Sequence, residues 1–220
     1  MKKVLIAFLA VSLIFWTMSC ASWSRTQKGG AIGAAGGAVV GGLIGKAAGS
    51  TIVGAIIGAA VGGAAGAYIG NYMDKQAAEM KRDLEGAQVE RIGEGIKITF
   101  DSGLLFDVDK AALREASQEN LQDLAKILNK YPDTNILIEG HTDSTGADDY
   151  NLALSRRRAE TVAHYLAQLE VKAGRFSIMG YGEEQPVATN DTAGGRQQNR
   201  RVDLAVMAND KLKKAARDKA

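Results

Sequence analysis

Glycine recurs at every fourth position in two successive runs: Gly33, Gly37, Gly41, Gly45 and Gly49, then Gly54, Gly58, Gly62, Gly66 and Gly70. That spacing lays the glycines along one face of a helix, drifting by about 40° per step. Each glycine costs a helix about 1 kcal/mol relative to alanine, so ten of them forfeit about 10 kcal/mol unless something offsets the loss. The available gain is close approach of one helix backbone to another. Gly49-Ser50-Thr51 interrupts the ladder, so residues 29–73 read as a glycine-zipper hairpin with arms Ile32–Ala48 and Ile52–Met73. Val39, Val40, Leu43, Ile44, Ile56, Ile57, Val61 and Ile69 are left for the other faces. The arms would be about 25 and 33 Å long, close to a bilayer core, and Lys46, the only charge between Gly29 and Gly70, could snorkel. A flexible linker is the alternative, although linkers favour Ser and polar residues over Ile and Val. Packing in lipid, on a membrane or within an oligomer all stay open. Residues 74–85 read as a short exit helix, with Gly86 opening the main domain.

Ahead of the ladder, Lys2 and Lys3 precede the apolar run Val4–Phe15, and small residues surround Cys20. This is the layout of a secretory signal over residues 1–19, too short to span a bilayer. A secreted chain with a single cysteine cannot form an internal disulfide, so the thiol needs another use. Thr17-Met18-Ser19-Cys20 resembles the lipobox of bacterial lipoproteins, with Thr17 where Leu is usual. The resemblance implies acylation of Cys20 (palmitate among the chains), cleavage before it, and a tether at 20–28. Ala21, in place of a retention Asp, implies the outer membrane, with the C-terminal domain in the periplasm. Several acyl chains make such anchoring effectively stable. An uncleaved anchor or an ordinary signal are the alternatives. The glycine segment likewise resembles the glycine-zipper regions of some envelope lipoproteins.

The remaining residues are patterned for one domain, 86–209, followed by a basic tail at 210–220. Val89–Ile92 and Ile96–Phe100 read as a hairpin joined by Gly93-Glu94-Gly95. Asp109 is placed to cap a helix from Lys110 to Lys130, with Leu113, Leu121, Leu124, Leu128 and Tyr131 inward and Pro132 as the stop. Asn135–Glu139, Phe176–Gly180 and Val202–Met207 read as strands. A second helix runs from Tyr150 to Leu169, burying Ala159, Val162, Leu166 and Leu169. The expected fold is an α/β (α+β) two-layer sandwich, a mixed β-sheet covered by two main helices. The tail reads as a frayed helix.

Within this pattern, Asp143 falls in the loop beyond a strand's carboxyl end, where open α/β sheets place ligands. Arg158 lies in the following helix, and Arg200 precedes the final strand. One carboxylate near two guanidiniums suits a zwitterion, its ammonium at Asp143 and its carboxylate at the arginine forks. The bland alternative is a structural Asp143–Arg158 ion pair closing the loop onto the helix.

FDVDKAAL at 106–113, IEGHTDSTG at 138–146, NLALSRRRAETVAHYL at 151–166 and NRRV at 199–202 closely resemble the peptidoglycan-binding domain of the outer membrane protein A (OmpA) family. The resemblance covers about 120 residues in the family's order. It implies non-covalent binding of diaminopimelate in the peptidoglycan stem peptide, with Asp143 and Arg158 at the motif positions. It further implies Asn151 and Arg200 as flanking contacts, Phe106, Asp107 and Thr145 at the rim, and Leu152 packed beneath.

Other features carry less. Arg156 and Arg157 read as a solvated helix face. Asp107 and Asp109 could hold a cation, but capping and loop hydrogen bonds suit them better, and Asp148 and Asp149 suit a helix N-terminus. His141 reads as organising its loop and His164 as a surface residue. Two separated histidines and one acylated cysteine make no zinc set. Ser155 lacks a nucleophile-elbow context, and Gly45-Lys46 is followed by Ala47 where a phosphate loop needs Ser or Thr. A non-enzymatic protein without cofactor or metal is expected. Although the pI is 8.6, the two leader lysines account for the whole formal excess of +2, so nucleic acid is not an expected partner. The leading expectation is an anchor between outer membrane lipid, held through Cys20, and peptidoglycan. The alternative is a glycine-zipper homo-oligomer or pore fixed at the wall; a wall-modifying enzyme ranks last.

Overall fold

The computed structural model of the protein describes residues 50–220 except Val108. The leader, Cys20, the tether and the first glycine arm lie outside the described residues. In chain order the elements are α1 (Thr51–Gly58), α2 (Gly63–Asp83), β1 (Ala87–Ile92), β2 (Gly95–Asp101), the single turn α3 (Ser102–Leu105), α4 (Glu115–Lys130), β3 (Thr134–Gly140), α5 (Asp148–Gln168), β4 (Phe176–Gly180), α6 (Ala193–Asn199), β5 (Arg201–Ala208) and α7 (Asp210–Arg217).

The five expected strands form one mixed sheet in the order β1-β2-β5-β3-β4, antiparallel except for the parallel pair β3–β4 joined through α5. Side chains alternate across a strand, and β5 uses both faces. Val202, Leu204, Val206 and Ala208 join the main core with Ile96, Ile98 and Phe100 of β2 and the buried faces of α2, α4, α5 and α7. Ala205 and Met207 point the other way and are covered by Ile52, Ala55 and Ile56 of α1. Gly140 and Gly180 let α5 approach the strands closely: a Cβ on Gly140 would lie 2.0 Å from the Ser155 carbonyl oxygen, and one on Gly180 2.5 Å from the Arg156 nitrogen.

The second glycine arm departs from expectation. It is not one helix from Ile52 to Met73 but two, broken at 59–62, and Gly62 and the following Gly63 take left-handed φ values of 73° and 63°. The later helix continues without pause to Asp83, so no separate exit helix exists. Its buried face is not a glycine stripe but Ala65, Ile69, Met73, Ala77 and Met80, spaced by three or four and packed into the main core. Ile56 and Ile69, assigned to outer faces, thus pack inward, Ile57 stays exposed, and the folded unit begins before Gly86. The tail also belongs to it: Leu212 and Ala216 of α7 are buried in the same core. No helix among the described residues is long and apolar enough to cross a membrane.

The helix expected from Lys110 starts five residues later, at Glu115. Asp109 is left-handed (φ 63°) instead of capping, and Leu113 bridges back to Phe106. Residues 109–114 therefore form a loop, closed by the Arg114 amide donating to the Leu105 carbonyl at 2.9 Å.

Candidate functional site

The loop after β3 is held by backbone bonds: His141 N donates to Arg201 O at 3.0 Å, and Thr142 N to Gly182 O at 2.8 Å. It turns at Gly146 (φ 105°) into the first turn of α5. Asn151, buried there, clamps the loop by donating its amide to the Asp143 carbonyl at 3.3 Å, the Thr145 carbonyl at 3.2 Å and the Glu183 carboxylate at 2.8 Å. Asp143 is only 6% exposed. One carboxylate oxygen accepts from Thr145 N at 2.9 Å and the other from Arg200 Nη1. Burial opposes ionisation, but the Thr145 amide and the Arg200 guanidinium outweigh it and hold the Asp143 carboxyl below its ordinary range.

Two helical turns beyond Asn151, Arg158 is 4% exposed. Its Nε donates to the Lys110 carbonyl at 3.0 Å, and its guanidinium carbon lies 5.2 Å from the centre of the Phe106 ring. Burial pulls its pKa below the ordinary guanidinium value, with Asp109 opposing and Arg200 assisting. Arg158 makes no ion pair with Asp143; among the described residues Asp143 pairs with Arg200.

These groups line one open cleft of about 420 Å³, within the usual range for a small-ligand site. Asp143, Arg158, Asn151, Arg200, Thr145, Phe106 and Asp107 all line it. Leu152 does not pack beneath: it is 40% exposed, because Asn151, Leu154 and Arg158 share the inward face and Leu152 lies about 100° around the helix. Leu154 lines the cleft in its place. Asp109 also lines it and accepts from the Tyr150 hydroxyl at 3.0 Å. Sequence reasoning missed Asp101, Ser102, Gly103, Thr142, Arg196 and Gln197, which complete the wall. For Ser102 and Thr142 a signal existed: each extends the alternation of β2 and β3 onto the face that bears the cleft.

His141 holds its loop through its backbone N–H, and its side chain is not in the cleft wall. It is buried on the opposite face, stacked on Tyr181 with ring centres 5.7 Å apart. Burial, with Arg201 nearby, pushes it down to about 3. Beside it are Glu139 and Asp203, each with a carboxylate oxygen 3.8 Å from Nε2. Arg156 pairs with Glu160 on the solvated side of α5, and exposed His164 contacts Gln168.

Comparison with known proteins places this geometry. The protein-family model described as OmpA family matches residues 105–200, and that of the YMGG-like Gly-zipper matches residues 1–74. "Probable lipoprotein YiaD" of Escherichia coli (strain K12) is 40% identical over 136 residues, 61% of this chain and 62% of its own length, so the chain covers less than two thirds of that relative. The "Peptidoglycan-associated lipoprotein" of Agrobacterium fabrum is 35% identical over 130 residues, covering 59% of this chain and 73% of that one. Among solved structures, the cell wall anchor of the T6SS from Pseudomonas aeruginosa superimposes with a TM-score of 0.55 at 32% identity, over 62% of this chain and 96% of that one. The chain belongs to the OmpA family.

Proposed function

We propose that the protein is a non-enzymatic envelope lipoprotein that ties the outer membrane to peptidoglycan. Acylated Cys20 holds the lipid, and the cleft grips the diamino acid of the stem peptide without covalent chemistry. The observation that carries this reading is the separation of charge in the cleft. Asp143 and Arg158 are both buried in its wall and do not neutralise each other, so a zwitterion can place its ammonium at one and its carboxylate at the other. Arg158 offers its two terminal nitrogens as a planar fork, with Arg200, paired to Asp143, as a flanking contact. Thr145, Asn151, Phe106 and Asp107 shape and hold the rim. Relatives whose names describe association with peptidoglycan or the cell wall support the same assignment. Weak individual contacts suffice, because many tethered copies on one wall act at high effective concentration.

The test incubates the full-length chain with isolated sacculi, pellets them, and measures the bound fraction beside Asp143→Ala and Arg158→Ala. Wild-type protein should pellet and both variants should stay in solution with an intact circular dichroism spectrum. Variants that pellet like wild type would refute the site. Muropeptides recovered unchanged after long incubation would agree with the absence of catalysis; turnover would contradict it. The glycine-zipper oligomer is the weaker reading, because the arm from Thr51 onward buries Ile52, Ile56 and Ile69 in the domain's own core.

A further inference from the structure

We infer that Ser102 and Thr142 form a second polar subsite in the floor of the cleft, which receives the peptide amide adjoining the bound diamino acid. The inference rests on the proposed function and goes on to specify its substrate: a diamino acid within a peptide, in preference to the free amino acid.

The sheet sets the two residues in place. In the central three strands, Asp101 of β2 pairs with Arg201 of β5, and Gly140 of β3 pairs with Val202. The cross-strand bonding runs one step further on each side, with Ser102 N donating to Arg200 O at 2.8 Å and His141 N to Arg201 O at 3.0 Å. Alternation then puts Ser102 in phase with Phe100, Arg200 with Val202 and Thr142 with Gly140. That is the face covered by the helices, at the end that opens into the cleft. With strands about 4.8 Å apart, Ser102 and Thr142 flank Arg200, one on each side.

Both residues line the cleft, and they are only 2% and 5% exposed. Neither hydroxyl has a hydrogen-bond partner among the described residues. Their polar neighbours are engaged: Asp101 accepts from Gly103 N and from Gln197, Asn151 clamps the loop, and Asp143 holds Thr145 and Arg200. A buried hydroxyl without a partner is costly and uncommon, so two of them in one cleft wall mark a place for a ligand group. A hydroxyl both donates and accepts, which matches a neutral amide. The charged ends of a zwitterion are already provided for by Asp143, Arg158 and Arg200.

The experiment titrates the full-length chain by calorimetry with free meso-diaminopimelate and with the tripeptide L-Ala-γ-D-Glu-meso-diaminopimelate. Wild type, Ser102→Ala, Thr142→Val and the double variant are compared, and thermal midpoints are recorded. Wild type should prefer the tripeptide. Each lost hydroxyl should shrink that preference about two- to tenfold, and the midpoint should hold or rise because an unpaired buried group has been removed. A tripeptide preference untouched in the double variant would overturn the inference and leave the proposed function standing. So would wild type binding the free amino acid as tightly as the tripeptide. Wild type binding neither ligand would overturn both.

Discussion

Asp143 and Arg158 line one cleft without pairing with each other: the carboxylate is taken by Arg200 and Thr145, and the guanidinium by the Lys110 carbonyl and the Phe106 ring. Arg200, not Arg158, is the ion-pair partner of Asp143, so Arg158 lines the cleft without a carboxylate partner among the described residues. Preorganisation of this kind lowers the ordering cost of binding.

Lysine at position 158 tests whether the fork or only the charge matters. Lys keeps the charge but loses the planar donors and the stacking on Phe106. Arg158→Lys should therefore lower binding to sacculi about ten- to a hundredfold, as expected for loss of a charge-assisted hydrogen bond. The side chain of Arg200 is 40% exposed, so Arg200→Lys should cost less. Equal binding by wild type and Arg158→Lys would show that the fork is not used.

The extent of the folded unit makes a second prediction. A fragment of residues 86–209 lacks Ile69, Met73, Met80, Leu84 and Leu212, all buried in the main core. Burial of each large apolar side chain is worth about 1.5–3 kcal/mol, so their joint loss is comparable to the 5–15 kcal/mol stability typical of a whole domain. Residues 50–220 should melt cooperatively, and 86–209 should melt at least 10 °C lower or not fold. Equal midpoints by circular dichroism would show that α1, α2 and α7 are peripheral.

Gly140 links the packing to the cleft. An alanine there would place its Cβ against the Ser155 backbone, which cannot swing aside as a flexible side chain can. Overpacking should cost about 1–3 kcal/mol and push α5 outward, carrying Asn151 and Arg158 with it. Gly140→Ala should thus lower both the melting temperature and sacculus binding, although position 140 is not in the cleft. Gly174 has open space around it, and Gly174→Ala should leave both unchanged. Wild-type binding by Gly140→Ala would separate the helix position from recognition.

Much of this was legible in local patterns. Strand alternation, the Gly93-Glu94 turn and the contiguous motif around Asp143 depend on near neighbours, and the structure brings the motif residues around one cleft. Elements whose partners are distant in sequence were harder. The four-residue glycine spacing pointed to helices packing on each other, yet Ile52, Ile56, Ile69 and Met73, at helical spacing too, pack against the sheet. Nothing local distinguishes those two uses of an apolar face. Asp109 had the chemistry of a helix cap, but the pairing of Leu113 with Phe106 held that stretch out of the helix. Strand alternation carried Ser102 and Thr142 onto the cleft face, but their burial without partners is visible only in the fold.

The last prediction concerns the face opposite the cleft, where α1 covers a group of buried charges. Glu139 and His141 lie there with Asp203 and Arg201; Lys97, Thr99, Tyr181, Gln185 and Thr51 surround them. Thr51 Oγ1 sits 3.0 Å from both Glu139 oxygens and from Oε1 of Gln185. Burial, reinforced by Asp203 against the Thr51 hydroxyl, pushes Glu139 up to about 8 from 4.5. Burial pushes His141 down to about 3 from 6.5. The two act with opposite signs. Between pH 3 and 6.5 the unfolded chain binds the His141 proton and the folded chain does not, so stability rises with pH. Between 4.5 and 8 the folded chain keeps the Glu139 proton and the unfolded chain releases it, so stability falls with pH. The contributions offset each other from about 4.5 to 6.5, leaving a plateau, and each is limited to about 1.4 kcal/mol per pH unit. On the acid side Asp143, held below its ordinary range, steepens the loss. Glu139→Gln keeps a donor for this site and cannot ionise. Its stability relative to wild type should therefore be flat below pH 4.5 and should rise steadily from 4.5 to 8, as followed by urea unfolding at each pH. A difference that stays constant across that window would show that Glu139 ionises as an ordinary carboxylate and that α1 does not rest on its protonated form.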